Sequence, residues 1–255
     1  MFVSRIIDQS KGMAGMNRIR GRGWVFLMVW FPLAGAAAEI QLPCLLGSCS
    51  SPLAGSTPER IQNIRAAVEK ISGRVLQPGE SFSYNQTVGP RTRATGFLPA
   101  PAIVHEALRP VIGGGICQVS STLFNAVLLS DLTILERHRH YTPVNYLPLG
   151  MDATISWGTK DFRFKNNSPG SIQIIGRVSD STLTFQIYGE QPLPEELRLE
   201  TEIVESPSPH PEEESEPAIE IKLYRVRLKE GKTIARQLIH TDFYPARIIQ
   251  PPRES

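Results

Sequence analysis

Only three cysteines occur in the 255 residues, too few for a disulfide-built scaffold. Nowhere do about 20 apolar residues follow one another, the length that a membrane-spanning helix needs. The longest such run, Trp24 to Ala38, has 15 residues and contains Pro32 and Gly35. There is no internal repeat. Charge of one sign is also scarce. Residues 39–189 carry thirteen basic against ten acidic side chains, and 218–255 eight against four, which is not the basic surface of a nucleic-acid binder. The one strong local imbalance is acidic: Glu190 to Pro217 holds ten acidic residues against a single basic one. What remains is 41% hydrophobic and 20% charged, an ordinary globular composition with material for one large domain or one domain plus an appendage.

The short apolar run has the form of an export signal. MNRIRGRG (Met16 to Gly23) supplies three arginines, the run WVFLMVWFPLAGAAA follows, and Ala36-Ala37-Ala38 is a small-residue cleavage pattern. Residues 1–38 are therefore expected to be a signal peptide and 39–55 a leader. The protein is then exported to the cell envelope and touches the membrane only through that segment or a lipoprotein-like anchor at LGSC (Leu46 to Cys49). In an oxidising compartment Cys44 and Cys49, in PCLLGSC, are free to form a small disulfide or to sit in a flexible leader. Either way Cys117 is left as a lone thiol.

Ser56-Thr57-Pro58-Glu59 opens a helix, through a Ser56/Glu59 capping box or a Thr57 cap with Pro58 in the first turn. Ile61, Ile64, Val68 and Ile71 form its stripe and Gly73 ends it. SFSYN (81–85) alternates like a strand, and 86–102 has the Gly, Pro, Thr and Arg content of a surface loop. After Cys117, Val119, Leu123 and Val127 recur at helical spacing. Strand patterns follow at 132–136, 153–157, 162–164, 171–178 and 182–189, the last two joined by Ser179-Asp180-Ser181. Residues 191–217 are expected to be an acidic, proline-rich linker or loop, and 218–255 a C-terminal β segment with a turn at Glu230-Gly231. This order predicts an α+β fold for 56–190: a helix carrying Cys117, packed on a mostly antiparallel sheet, with a small β extension.

GGGICQVSST (Gly113 to Thr122) places Cys117 at the start of its helix, where unpaired N–H groups favour a thiolate. Lowering a thiol by two pH units needs roughly 2.7 kcal/mol, and an exposed helix end supplies only about 0.3–1 kcal/mol. A second group is required, normally an imidazolium. ERHRHYTPV (Glu136 to Val144) offers His138 and His140 on one side of a strand, and Asp152 is placed to orient either ring. Gly113, Gly114 and Gly115 would let a substrate backbone approach the sulfur, and their N–H groups or that of Cys117 would face an oxyanion. Gln118, Ser120, Arg137 and His138 are further candidate substrate contacts, each with a structural alternative in capping or a solvated strand. A buried structural role for Cys117 competes with catalysis. Cys117, His138, His140 and Asp152 lack a zinc signature, so no metal or cofactor is expected. His105, His210 and His240 read as surface histidines.

GGGICQVSSTLFNAVLL, ERHRH and PVNYLPLGMDATISWGTKDFRFKNN, in that order, resemble the VanW domain family, as does NIRAAVEKISGRVLQPGESFSYNQTVGPRT (Asn63 to Thr92) upstream. The resemblance covers roughly 56–190. It implies an accessory role in glycopeptide resistance and, as in some members, L,D-transpeptidase-like chemistry on peptidoglycan stem peptides. Carried over, it makes Cys117 the nucleophile, His140 the general base and Asp152 the orienter. The chain departs from the family at Tyr141, where serine is usual, and at Ser121-Thr122, where Thr-Thr is usual. A non-catalytic wall-binding domain and a cysteine or metal peptidase are the alternatives.

Overall fold

The computed structural model describes residues 42–104, 107–206 and 215–248. The segment 1–38 expected to be a signal peptide, His105, His210 and most of the acidic stretch after 206 lie outside the described residues. The described residues begin with β1 (Cys44–Pro52), α1 (Pro58–Ile71), β2 (Val75–Leu76), β3 (Ser81–Ser83) and α2 (Tyr84–Val88). Next come β4 (Pro99–Val104), β5 (Ala107–Ile112), α3 (Ile116–Leu128), β6 (Thr133–Glu136) and β7 (Arg163–Lys165). Then follow β8 (Ile172–Val178), β9 (Thr182–Gly189), β10 (Glu196–Ser206), β11 (Ser215–Glu216), β12 (Ala218–Lys229), β13 (Lys232–Tyr244) and β14 (Arg247–Ile248). The result is sheet-rich, with few helices and antiparallel pairing throughout the described strands.

The central sheet has the order β1-β9-β8-β2. Helix α1 packs on β8 and α3 on β1 and β9. Of the two caps open to α1, the structure uses Thr57, whose hydroxyl accepts from Arg60 N–H at 3.3 Å, with Pro58 in the first turn. Its buried stripe, Ile64, Ala67, Val68 and Ile71, meets Ile172, Ile174, Leu183, Phe185 and Ile187 of the sheet in one core. Helix α3 is buried from Gln118 to Leu128, all round rather than along one face. A second sheet, β3-β7-β6, closes over Phe124 with Phe82, Phe162 and Phe164, whose rings stack and tilt at 5.0–5.7 Å.

Three expectations change. Residues 44–52, read as part of a leader, are the edge strand β1, paired with β9 from Cys44–Gly189 to Pro52–Thr182. Cys44 and Cys49 are free thiols along that extended strand. Five residues of strand span about 16 Å, beyond the 4.4–6.8 Å a disulfide allows. The segment expected to be a linker from 191 instead forms β10 over Glu196–Ser206, which pairs with β12 along its whole length. Its acidic side chains alternate with Leu197, Leu199 and Ile203, so composition concealed a period of two. The proposed loop 86–102 runs from the end of α2 into β4, whose hairpin with β5 had no clear signal. By contrast, Glu230 and Gly231 both have positive φ (53° and 74°), as a two-residue hairpin turn requires.

Gly47 is where β1 meets α3: a Cβ there would lie 2.6 Å from Ser130 Oγ and 2.7 Å from the Ala126 carbonyl oxygen. Gly47→Ala is expected to destabilise the protein by about 1–3 kcal/mol, read as a lower urea midpoint. Were 44–52 a loose leader, the midpoint would not move.

Candidate active site

The glycine triplet builds the start of α3. Gly113 and Gly115 have φ of 81° and 105°, which side-chain-bearing residues rarely adopt. A Cβ on Gly114 would collide with the Ala100 carbonyl. All three are buried, packed against Arg91, Ala100, and Arg60 with Ile64, so they do not open a path for substrate. Nor are Gly113 and Gly114 free to hold an oxyanion, because their N–H groups donate to the carbonyls of Leu98 (3.1 Å) and Val111 (3.0 Å). Gln118 is likewise committed. Its Oε1 accepts from Arg60 Nη2 at 2.9 Å and its Nε2 donates to Ser51 Oγ and the Pro52 carbonyl. Ser120, fully buried, donates to the Ala153 carbonyl at 2.6 Å. Neither side chain can reach a substrate without breaking these bonds.

Cys117 lies in the first turn of α3, half-buried, with its sulfur 3.6 Å from Thr154 Oγ1 and 3.7 Å from the Ile155 carbonyl, to which the thiol donates. His140 is the neighbour that most favours this sulfur as a thiolate. His140 Nδ1–H donates to Asp152 Oδ2 at 2.6 Å, and the His140 backbone N–H donates to that oxygen at 2.7 Å. Asp152 is 2% exposed. Its other oxygen, Oδ1, takes Arg137 Nη2 at 2.9 Å, while Arg137 Nε donates to the Asp152 carbonyl at 2.7 Å. Arg137 then bridges to Asp242 on β13 through two bonds of 2.6 and 2.8 Å. Cys117, His140 and Asp152 therefore stand together, and Arg137 is a buried support rather than a substrate contact.

His138 stands apart. The strand β6 ends at Glu136, short of both histidines, and their rings take different partners. His138 Nε2 lies 3.0 Å from Glu136 Oε1, and the residue contributes its backbone carbonyl to Thr154 N–H. His240, expected at the surface, is part-buried with Nε2 2.9 Å from the Gly150 carbonyl and 3.5 Å from Asp242 Oδ2. Among the described residues no three His, Cys, Asp or Glu side chains group as metal ligands. Both Asp152 oxygens are already engaged.

Residues 153–157, expected as a strand, make only isolated bridges, and the segment from Met151 to Ile155 is irregular. Its polar groups go to helix side chains instead. Asn125 Nδ2 donates to the Met151 carbonyl at 2.6 Å, Ser120 and Ser121 hydroxyls to that of Ala153, and Ala153 N–H donates to Ser121 Oγ at 2.9 Å. Ser121 and Asn125 sit one turn apart on α3 and are functional supports that periodicity did not single out. A row of small polar residues inside an otherwise apolar helix was the available signal.

Burial pushes the Cys117 thiol up, but the neighbouring His140, with lesser help from Thr154, brings it down from the usual 9.0 to about 7. Burial pushes His140 down, and the Asp152 and Cys117 partners raise it to about 9. Burial raises Asp152 as well, but His140 and Arg137 outweigh it and keep the carboxylate ionised. Burial holds the phenols of Tyr84 and Tyr146 far above their ordinary value, so neither is a competing base. Thiolate and imidazolium coexist where pH exceeds the first value and stays below the second, between about 7 and about 9.

Alkylation of Cys117 by iodoacetamide is therefore expected to be half-maximal near pH 7. In His140→Ala burial acts without its counterweight, and the half-point moves above 9.0. Asp152→Asn removes the partner that raises His140, so the upper limit of the pair falls below about 9. Stopped-time alkylation with peptide mapping measures all three.

Comparison with known proteins identifies the family of the chain. The VanW-like protein family matches residues 59–188. The chain is similar to the uncharacterized protein YoaR of Bacillus subtilis (strain 168), with 41% identity over 66% of this chain and 54% of that protein. It is also similar to the vancomycin B-type resistance protein VanW of Enterococcus faecalis, with 28% identity over 52% of this chain and 50% of that one. The chain thus spans about half the length of the curated relatives it matches. No solved structure matches. With the family covering 59–188, and with the glycine turn, both histidines and Asp152 inside that span, this chain belongs to the VanW-like protein family.

Proposed function

We propose that the protein is an exported cysteine acyltransferase of the cell envelope, acting on peptidoglycan stem peptides in the manner of an L,D-transpeptidase. One observation carries this reading: a thiol at a helix start, paired with a histidine whose Nδ1 is held by a buried, ionised aspartate. That is the arrangement a nucleophile, a proton shuttle and its orienter need. The arginine-led apolar segment at 16–38 supports export, and the relative named for vancomycin B-type resistance supports the envelope.

In the proposed reaction the Cys117 thiolate attacks the carbonyl preceding the terminal D-residue of a stem tetrapeptide. The S–C bond forms, an oxyanion develops, and the C–N bond breaks as the His140 imidazolium protonates the departing amine. D-alanine leaves and a thioester remains. His140, now neutral, takes a proton from the side-chain amine of a second stem, which attacks the thioester, forms the new amide and releases the thiolate. Water in place of that amine would make the same site a peptidase. With the Gly113 and Gly114 amides committed elsewhere, the Cys117 N–H at the helix start is the oxyanion donor in this scheme. Asp152 does not take a proton; it fixes the ring so that the nitrogen facing sulfur is the reactive one.

The test uses the protein from Glu39 onward, as wild type and Cys117→Ala, incubated with a tetrapeptide-stem muropeptide. Intact-protein mass spectrometry is expected to reveal an acyl adduct in the wild type alone. Cross-linked dimers among the products identify a transferase, and trimmed tripeptide a hydrolase. Folded protein with neither adduct nor product would overturn the proposal in favour of a wall-binding domain.

A further inference from the structure

Two arginines flank the glycine turn. The stem of Arg91 packs on Gly113, within 3.2 Å of where a Cβ would stand, and that of Arg60 packs on Gly115 at 2.9 Å. Both are part-buried. Arg60 gives one N–H to the Pro101 carbonyl (3.2 Å) and one to Gln118 Oε1 (2.9 Å). Arg91 uses Nη1 for Asn85 Oδ1 (2.8 Å) and the Gly89 carbonyl (3.0 Å), and its guanidinium faces the Trp157 ring at 5.7 Å. A guanidinium has five N–H groups, so these bonds leave donors on each. Among the described residues neither has a carboxylate within ion-pair distance, whereas the part-buried Arg137 and the buried Arg225 each do. Burial lowers both groups below the ordinary arginine value, and negative charge on Cys117 pushes each back up, as does Asp161 for Arg91. Two part-buried cations without a neutralising carboxylate, at the turn that leads into Cys117, are costly unless an anion arrives.

We propose that Arg60 and Arg91 receive the free α-carboxylate of the substrate's terminal residue, so that the site accepts peptides ending one residue beyond the bond that Cys117 attacks. This rests on the acyl-transfer reading for the identity of the peptide, but the anion receptor itself does not. A carboxylate one residue past the scissile carbonyl lies a few bonds from the sulfur, and the two arginines pack on the glycines two and four residues before Cys117, Arg60 also reaching Gln118 just after it. They also offset the repulsion between that carboxylate and the thiolate. The receptor makes the enzyme an end-reading one: an amidated or longer chain in the same place leaves the arginines unneutralised.

Iodoacetate and iodoacetamide test this without any peptide. Both place the reacting carbon beside a carbonyl group, both lose iodide to the thiolate, and only one carries a carboxylate. Peptide mapping separates Cys117 from Cys44 and Cys49. The ratio of the two rates cancels any change in thiolate fraction. In the wild type that ratio is expected to exceed the ratio for a small free thiol by about tenfold. Arg91→Gln and Arg60→Gln should each lower it, and Arg91→Lys should retain the larger part. Because Arg60 also holds Gln118, a second measurement needs no variant: N-acetyl-D-alanine should slow alkylation of the wild type by iodoacetamide, and N-acetyl-D-alaninamide should not. A wild-type ratio equal to that of the free thiol, or equal protection by acid and amide, overturns the receptor. Acylation by a stem tetrapeptide but not by its C-terminal amide joins the two proposals. A raised ratio with no acylation by either peptide sinks acyl transfer and leaves the anion receptor standing.

Discussion

The bonds from α3 side chains to the segment 151–155 are what the site depends on. A helix buried on every side cannot hydrogen-bond outward through its backbone, and an irregular segment laid against it would leave its own amides unpaired. Ser120, Ser121 and Asn125 solve both problems by donating to the Ala153 and Met151 carbonyls, and Ser121 also accepts from Ala153 N–H. Asp152 and Thr154 are thereby held at fixed heights along the helix that carries Cys117. Without that docking the aspartate would have no defined distance from the thiol, whatever its place in the chain.

A line of alternating charge extends from this anchor: Asp242, Arg137, Asp152, His140 and the Cys117 sulfur. Each buried charge is tolerable only because its neighbour is opposite, and removing one member from such a buried set typically costs about 3–5 kcal/mol. The C-terminal hairpin therefore supports the site, since β13 supplies Asp242 and His240. The guanidinium of Arg137 also lies over the Phe124 ring at 5.7 Å, tying the charged line to the aromatic layer beneath it. The thiol is tuned by distant parts of the chain acting through one imidazole.

Much of this was legible in the residues. Local rules sufficed for α1 with its Thr57 cap, for α3, for the β8–β9 hairpin and for the turn at Glu230-Gly231, because caps, periods and turn chemistry act within a few residues. Cys117, His140 and Asp152 could be named as a set from residue type and order. The errors share one cause. Composition marked 44–52 and 196–206 as leader and linker, but both are strands whose pairing partners lie far along the chain. Similarly, Gly113 to Gly115 suggested access for a substrate, whereas their use is close packing against Arg91, Ala100 and Arg60.

The sequence by itself determined where a reactive thiol could arise, which residues could serve it, and the family to which the chain belongs. Only the tertiary structure put His140 rather than His138 against Asp152, gave Arg137 its buried role, spent Gln118 and Ser120 on the scaffold, and set Arg60 and Arg91 against the glycine turn. The division has a physical reason. Capping, helical period and turn geometry are properties of neighbouring residues, whereas desolvation, charge pairing and the spending of hydrogen-bond donors depend on atoms brought together across a hundred residues of chain, as Arg137 and Asp242 are.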